Sequence, residues 1–216
     1  MCIRDSIYSD PYLNNPSTLM FDIAAGTQNF TAPPAPPSWT DDSANAAAAV
    51  RFLTQATFGA SSNDIALVQS IGYTNWINNQ LSLPATHHLP VVLANASSDP
   101  TDPYPSTDWF NAWWQNSVTA PDQLRQRVAF ALSEIMVASE NGTLQNNATA
   151  LASYYDTLLD NAFGNFRALL KAVTLHPAMG LYLNMQGNAR GSIINGTHAS
   201  ENYAREIDVY KRQAPA

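Results

Sequence analysis

One stretch of the chain, residues 121–139, constrains the fold more than any other. Apolar side chains recur at helical spacing along it, and further apolar groups cover the neighbouring faces. A helix that is apolar almost all round is buried on most sides, so the sequence predicts the central helix of a helical domain here. Thr119 is the predicted cap, and Asp122 suits the first turn. Two charged residues, Arg127 and Glu134, interrupt the apolar surface.

The two ends of the chain share an origin. One nucleotide string, read in two frames, encodes residues 1–6 and the start of residues 208–216. That string matches a transposase adapter used to prepare sequencing libraries. We therefore expect these residues to be foreign to the natural protein, which we interpret as truncated on both sides, and exclude them from the fold prediction. The only cysteine, Cys2, lies in the adapter-derived part, so no disulfide is predicted.

The charge balance excludes one class of partner. The chain has ten Lys and Arg against seventeen Asp and Glu, a net charge of −7. Nucleic-acid binding needs clustered cations, so no nucleic-acid partner is predicted. No apolar run approaches the roughly 20 residues of a membrane span. Abundant Asn, Ser, Thr and Ala with few lysines is typical of exported bacterial proteins, which predicts a periplasmic or extracellular location.

The chain changes character near residue 42. Residues 7–31 show no helical period and are interpreted as the tail of an upstream module, for which a β-rich fold is one interpretation. Residues 32–42 are proline-rich and predict an extended linker. Residues 43–207 predict an all-α, irregular multi-helix domain without a convincing strand.

The predicted helices begin at capping residues and end at glycine or proline. They cover residues 43–59, 61–72, 74–84, 109–118, 121–139, 149–164, 165–177, 178–183 and 200–207. Thr149, Asn165 and Ser200 are predicted caps. Residues 84–107 contain five prolines and predict a long loop, a type of segment that is often functional or mobile.

Five motifs in one order carry a family resemblance. They are RFLTQATFG (51–59), GYTNW (72–76), DQLRQRVAFALSEI (122–135), LHPAMGLYLN (175–184) and ENYARE (201–206). Together they resemble the N-terminal part of the bacterial family called domain of unknown function 1800, over about residues 45–207. The resemblance implies a mostly helical fold in exported or multi-domain bacterial proteins, with no general activity. Family members continue after ENYARE, so the C-terminal half of the domain is expected to be missing.

Arg127 and Glu134 are two helical turns apart, about 10 Å along the axis. Each is therefore predicted to find a partner on another helix, with Arg51, Arg167 and Arg205 as the cations for Glu134. One interpretation is a buried pair that sets the register of the helices. The other is a functional cleft, in which perturbed pKa values would be expected.

The histidines fall into two groups. His176 ends a helix just before Pro177, where it could cap or pack, or serve as a general base or metal ligand. No HExxH motif or Cys/His cluster is present, so no metal site is predicted. His87, His88 and His198 lie in predicted loops and are expected to be solvated.

The ENYARE motif presents two polar ridges on a predicted helix. Glu201 and Arg205 are spaced i,i+4, as are Asn202 and Glu206. One interpretation is capping with a surface ion pair. In the other, the amide and the carboxylate of the second ridge bind a substrate hydroxyl or a cation.

Two function classes remain open from the sequence. The first is an exported hydrolase that uses carboxylate and histidine chemistry. Its predicted catalytic residues are Glu134, His176 and Glu206, and its predicted substrate-binding residues are Arg127, Asn202, Arg205 and Glu201. The alternative is a non-catalytic helical module that binds a cell-envelope or carbohydrate partner. For the second class, Trp109, Trp113 and Trp114 would stack on sugar rings; their other interpretation is core packing. No cofactor is assigned.

Overall fold

The computed structural model describes residues 40–95, 97, 101, 104–192, 194 and 196–207, so the predictions for residues 1–39 and 208–216 lie outside the described residues. The described residues form α-helices without a strand, which confirms the all-α prediction. The helices are α1 Ala46–Ala56, α2 Ser62–Ser82, α3 Leu89–Ala94, α4 Ser106–Thr119, α5 Gln123–Ile135, α6 Ala148–Asp160, α7 Phe166–Leu175, α8 Pro177–Tyr182 and α9 Asn202–Arg205. None of these helices is long and apolar enough to cross a lipid bilayer.

Helices α1 and α2 pack on each other around a small apolar cluster. Leu53 and Val68 are fully buried there, and Trp76 is nearly so. The Phe52 ring meets the edge of Trp76, with the ring centroids 5.2 Å apart. Burying groups of this size stabilises a helical pair by roughly 1.5–3 kcal/mol per side chain.

Helix α2 is interrupted where the sequence predicts a helix end. Gly72 has φ 79° and ψ 165°, so two helical segments meet at a kink. The residue after it, Tyr73, donates its backbone N–H to the Asp41 carboxylate at 3.2 Å. A glycine is required here because this backbone conformation strains any residue with a Cβ.

The most buried helix is α6, and the prediction that the helix within residues 121–139 holds this position is wrong. Eight of the thirteen residues of α6 are buried, against two in α5. Helix α6 packs against α3, α4, α5, α7 and α8. The apolar surface of α5 is instead shared out: Leu124 packs on the α1–α2 cluster, Leu132 packs on the α6 cluster, and Ile135 is exposed.

The predicted capping residues are correct in part. Asn165 accepts backbone N–H groups at the start of α7, as predicted. Helix α6 is capped by Asn147 rather than by Thr149, and the predicted cap of α5 is also wrong, because Thr119 is the last residue of α4. Ser200 does not cap α9; its backbone instead exchanges two hydrogen bonds with the side chain of Asn188.

The predicted loop of residues 84–107 is wrong in one respect, because it contains α3. Pro90 lies in the first turn of this helix, where a missing N–H costs nothing. The segment before the helix is held by side chains of neighbouring helices. Asn116 and Gln126 donate to the Thr86 carbonyl at 3.4 and 2.9 Å, and Asp122 accepts the Thr86 N–H at 3.0 Å. Buried polar groups of α4, of α5 and of the residue before α5 therefore hydrogen-bond this half-buried connection.

Candidate functional site

A cleft of about 480 Å³ lies between α4, α5 and α6, and we call it the aromatic cleft. Helix α4 contributes four aromatic residues, α5 and the residues after it contribute a mixed set, and α6 contributes one leucine and two tyrosines. The lining residues are Trp109, Phe110, Trp113, Trp114, Phe130, Ser133, Glu134, Val137, Ala138, Leu151, Tyr154 and Tyr155.

Helical spacing explains why these side chains share one wall. On α4 the aromatic residues stand at positions i, i+1, i+4 and i+5, which lie on one side of a helix. Trp113 meets Trp114 nearly at a right angle, with centroids 5.0 Å apart, and meets Phe130 of α5 at 5.9 Å. Trp114 is 62% exposed and Phe110 is 43% exposed. Trp109 and Trp113 thus pack partly into the core, as one interpretation predicts, and Trp114 stays open to solvent. The stacking of sugar rings on these tryptophans stays a prediction.

Glu134 is an unpaired carboxylate in this apolar cleft. Among the described residues it makes no ion pair, and the predicted cations are engaged elsewhere or unpaired: Arg205 binds Glu201 at 2.8 Å and Arg51 lies 3.8 Å from Asp42. The third, Arg167, also makes no ion pair with it. The prediction of a cation on another helix for Glu134 is therefore wrong for the described residues.

Tyr155 lies in the same cleft and was not identified from the sequence. Its side chain is almost fully buried, and its hydroxyl oxygen is closed to solvent. Burial raises the pKa of Tyr155 to about 12; the nearby Trp113 indole opposes the rise, and the Glu134 carboxylate adds to it. The phenol therefore stays neutral and can both donate and accept a hydrogen bond. Its spacing on α6 indicated only a buried aromatic residue.

Arg127, the other charge of α5, does find a partner on another helix, as predicted. Its Nε donates to the Gln55 carbonyl of α1 at 3.3 Å. The guanidinium also lies over the rings of Phe58 and Phe130, 5.2 and 5.6 Å from their centroids. These contacts join α5 to α1, but among the described residues Arg127 does not form the buried ion pair of the register-setting interpretation.

His176 caps a helix, as one of its two interpretations predicts. Its Nδ1 accepts the Ala178 N–H at 3.2 Å at the start of α8. The neutral ring must then carry its hydrogen on Nε2, which lies 3.2 Å from the Ser153 Oγ. In this tautomer the ring donates to the serine and cannot take its proton. The pair therefore joins α6 to α8 rather than activating Ser153 as a nucleophile.

We expect this cap to make stability depend on pH. Burial lowers the pKa of His176 below its ordinary value of 6.5, with the contact to Ser153 opposing the shift. The unfolded chain then binds more protons, so the stabilisation is present above pH 6.5 and is lost as the pH falls through the lowered pKa. Replacing His176 by alanine should cost about 0.5–2 kcal/mol at neutral pH.

Urea unfolding at neutral and acidic pH measures both effects. H176N keeps a good capping acceptor and should lose the part of the pH dependence due to His176. H198N, at an exposed histidine, is the matched control and should behave like the parent chain. An unchanged pH profile in H176N would contradict the assignment.

The ENYARE segment forms the short helix α9. The predicted ion pair is confirmed: the Arg205 guanidinium donates to Glu201 at 2.8 and 3.2 Å, on the surface. The second ridge is open, because no hydrogen bond joins the Asn202 and Glu206 side chains. The hydroxyls of Tyr203 and Thr174 are hydrogen-bonded, which attaches α9 to α7.

His88 is buried rather than solvated, which corrects the sequence prediction. The Asp156 carboxylate of α6 accepts the backbone N–H groups of His88 and Leu89 at 2.7 and 3.0 Å, and the His88 Nδ1 lies 3.2 Å from it. The imidazole also packs against Trp109 and Tyr155 of the aromatic cleft. An acceptor from α6 thereby caps α3, which has no cap of its own.

The structure brings few of the predicted site residues together. Glu134 lines the aromatic cleft. His176 lies behind it, with its ring 5.3 Å from that of the lining Tyr154. The others, Arg127, Glu201, Asn202, Arg205 and Glu206, do not line the cleft, and their functional roles stay predictions. Within the described ranges, no group of three or more His, Cys, Asp or Glu residues could hold a metal ion.

The described residues form an all-α domain with an aromatic cleft. The family model described as "Protein of unknown function (DUF1800)" matches residues 51–207, so the chain belongs to this family. No match was found among curated proteins or among solved structures.

Proposed function

We propose that the chain is a non-catalytic helical module whose aromatic cleft binds carbohydrate, with a bacterial cell-envelope polysaccharide as the partner and a periplasmic or extracellular location. The observation that carries the proposal is the exposure of Trp114 and Phe110 beside the unpaired Glu134. Exposed aromatic rings that are gathered in one cleft mark binding sites more often than scattered ones do.

The chemistry of the lining suits a sugar. The apolar face of a pyranose ring can stack on Trp114, while its hydroxyls need hydrogen-bond partners. Glu134 can accept hydrogen bonds from such hydroxyls. A mostly apolar cleft with a few polar groups, of a volume between about 300 and 1,000 Å³, is the usual form of a small-ligand site.

We expect Trp114→Ala to weaken polysaccharide binding about tenfold or more. Trp114 is exposed, so its removal should change the free energy of unfolding by less than about 1 kcal/mol while a stacking surface is lost. Retention on insoluble peptidoglycan, chitin and chitosan measures binding, and tryptophan fluorescence gives affinities for soluble oligomers.

Val118→Ala is the matched control. Val118 is on the same helix, is 74% exposed, and lies outside the aromatic cleft. It should bind like the parent chain. Equal retention of the Trp114 and Val118 variants, or no retention of the parent chain on any of the three polysaccharides, would contradict the proposal.

Hydrolysis is the second candidate, favoured by the free carboxylate of Glu134. Glycosidases usually place two carboxyl groups about 5–10 Å apart, and Glu134 is the one carboxylate of the described residues that lines the cleft. Binding is therefore ranked first. E134Q separates the two, because a hydrolase would lose product formation while a binding module would release no product before or after the change.

A further inference from the structure

The charge of the aromatic cleft indicates what kind of sugar it takes. Glu134 has no cation within ion-pair distance among the described residues. Arg127 is on the same helix, but its guanidinium is engaged by Gln55 of α1. Glu134 is exposed to solvent, so its carboxylate is open to a cationic ligand that enters the cleft.

The aromatic walls of the cleft also favour a cationic ligand. Ring faces attract cations, indole most strongly, and the two rings of Trp113 and Trp114 present faces almost perpendicular to each other. One cation already lies against a ring of the aromatic cleft, because the Arg127 guanidinium is 5.6 Å from the centroid of the lining Phe130. A second cation on the cleft side would meet rings of the same kind, together with the Glu134 carboxylate.

Resting on the proposed carbohydrate function, we propose that the aromatic cleft selects amino sugars with a free, protonated amine. The sugar ring stacks on Trp114, and its ammonium group binds the Glu134 carboxylate beside the indole rings. The net charge of −7 favours the approach of such a ligand and disfavours uronic acids. N-acetylation removes the charge and should remove the preference.

The test compares two tetramers that differ in one group. The whole chain is titrated with a glucosamine tetramer and with an N-acetylglucosamine tetramer at a pH of about 6, below the ordinary pKa of such an amine. Tryptophan fluorescence reports binding. We expect the free-amine tetramer to bind at least tenfold more tightly. E134Q should remove that difference by weakening the binding of the free-amine tetramer.

A charge control and a third ligand make the outcomes distinct. Asp160→Asn removes a carboxylate of α6 that lies outside the aromatic cleft and should keep the preference. Equal affinities for the two tetramers, or a preference that survives E134Q, overturn the amine selection and leave the carbohydrate proposal standing. If choline binds and neither tetramer does, both proposals are overturned.

Discussion

Replacing Asp156 with alanine should lower the free energy of unfolding by about 3–5 kcal/mol. The carboxylate accepts two backbone N–H groups and faces the Nδ1 of the fully buried His88. The variant leaves these donors in the interior without an acceptor, and each unsatisfied buried group costs about 1–3 kcal/mol. Urea unfolding, followed by circular dichroism, measures the loss.

Helix α6 supplies a matched control one turn along. Asp160 also faces a histidine, with its Oδ1 2.8 Å from the Nε2 of His87, but both side chains are well exposed. Asp160→Ala should cost less than about 1 kcal/mol, because solvent screens and replaces an exposed pair. Asp156→Asn keeps one acceptor oxygen and should fall between the two. Similar losses for the Asp156 and Asp160 alanine variants would contradict the role assigned to the buried carboxylate.

The different burial of His87 and His88 could not be predicted from the sequence. The tandem histidines are adjacent in the chain and sit in a proline-rich segment, so both were expected to be solvated. One is buried because a carboxylate 68 residues away meets it. Local pattern predicts which residues form a helix, but the partner of a buried polar group depends on how distant helices pack. The same limit explains α3, whose capping acceptor belongs to α6.

The sequence likewise predicts only part of the candidate site. The spacing of the tryptophans on α4 follows from the sequence, and so does the position of Glu134 on α5. Whether Glu134 would find a cation on another helix could not be settled, because three arginines were available and all three proved to be placed elsewhere. The error over α5 has a related cause. A helix that is apolar on all sides is expected to be buried. The apolar side chains of α5 instead divide between the α1–α2 cluster, the α6 cluster and the open aromatic cleft.

The second large loss of stability is expected at the kink in α2, where the sequence itself predicts a helix end at Gly72. Gly72→Ala should cost more than the roughly 1–3 kcal/mol that a strained backbone conformation requires. A Cβ at this glycine would lie 2.8 Å from the Asp41 Oδ2. That oxygen accepts the Tyr73 N–H, and Oδ1 of the same carboxylate accepts the Ser43 N–H at 2.9 Å. The added methyl therefore strains the backbone and displaces an acceptor that begins the second half of α2.

A second glycine separates these two causes. Gly142 has φ 88°, close to the 79° of Gly72, but a Cβ there would have no atom within 4 Å. Gly142→Ala therefore reports backbone strain alone, and Gly72→Ala should be the more destabilising of the two in urea unfolding. Adding Asp41→Gly to Gly72→Ala removes the steric contact together with its hydrogen bonds, so the double variant should lose less than the sum of the two single losses. If Gly72→Ala costs no more than Gly142→Ala, the close approach of Asp41 does not contribute to the kink, and the glycine is required for its φ alone.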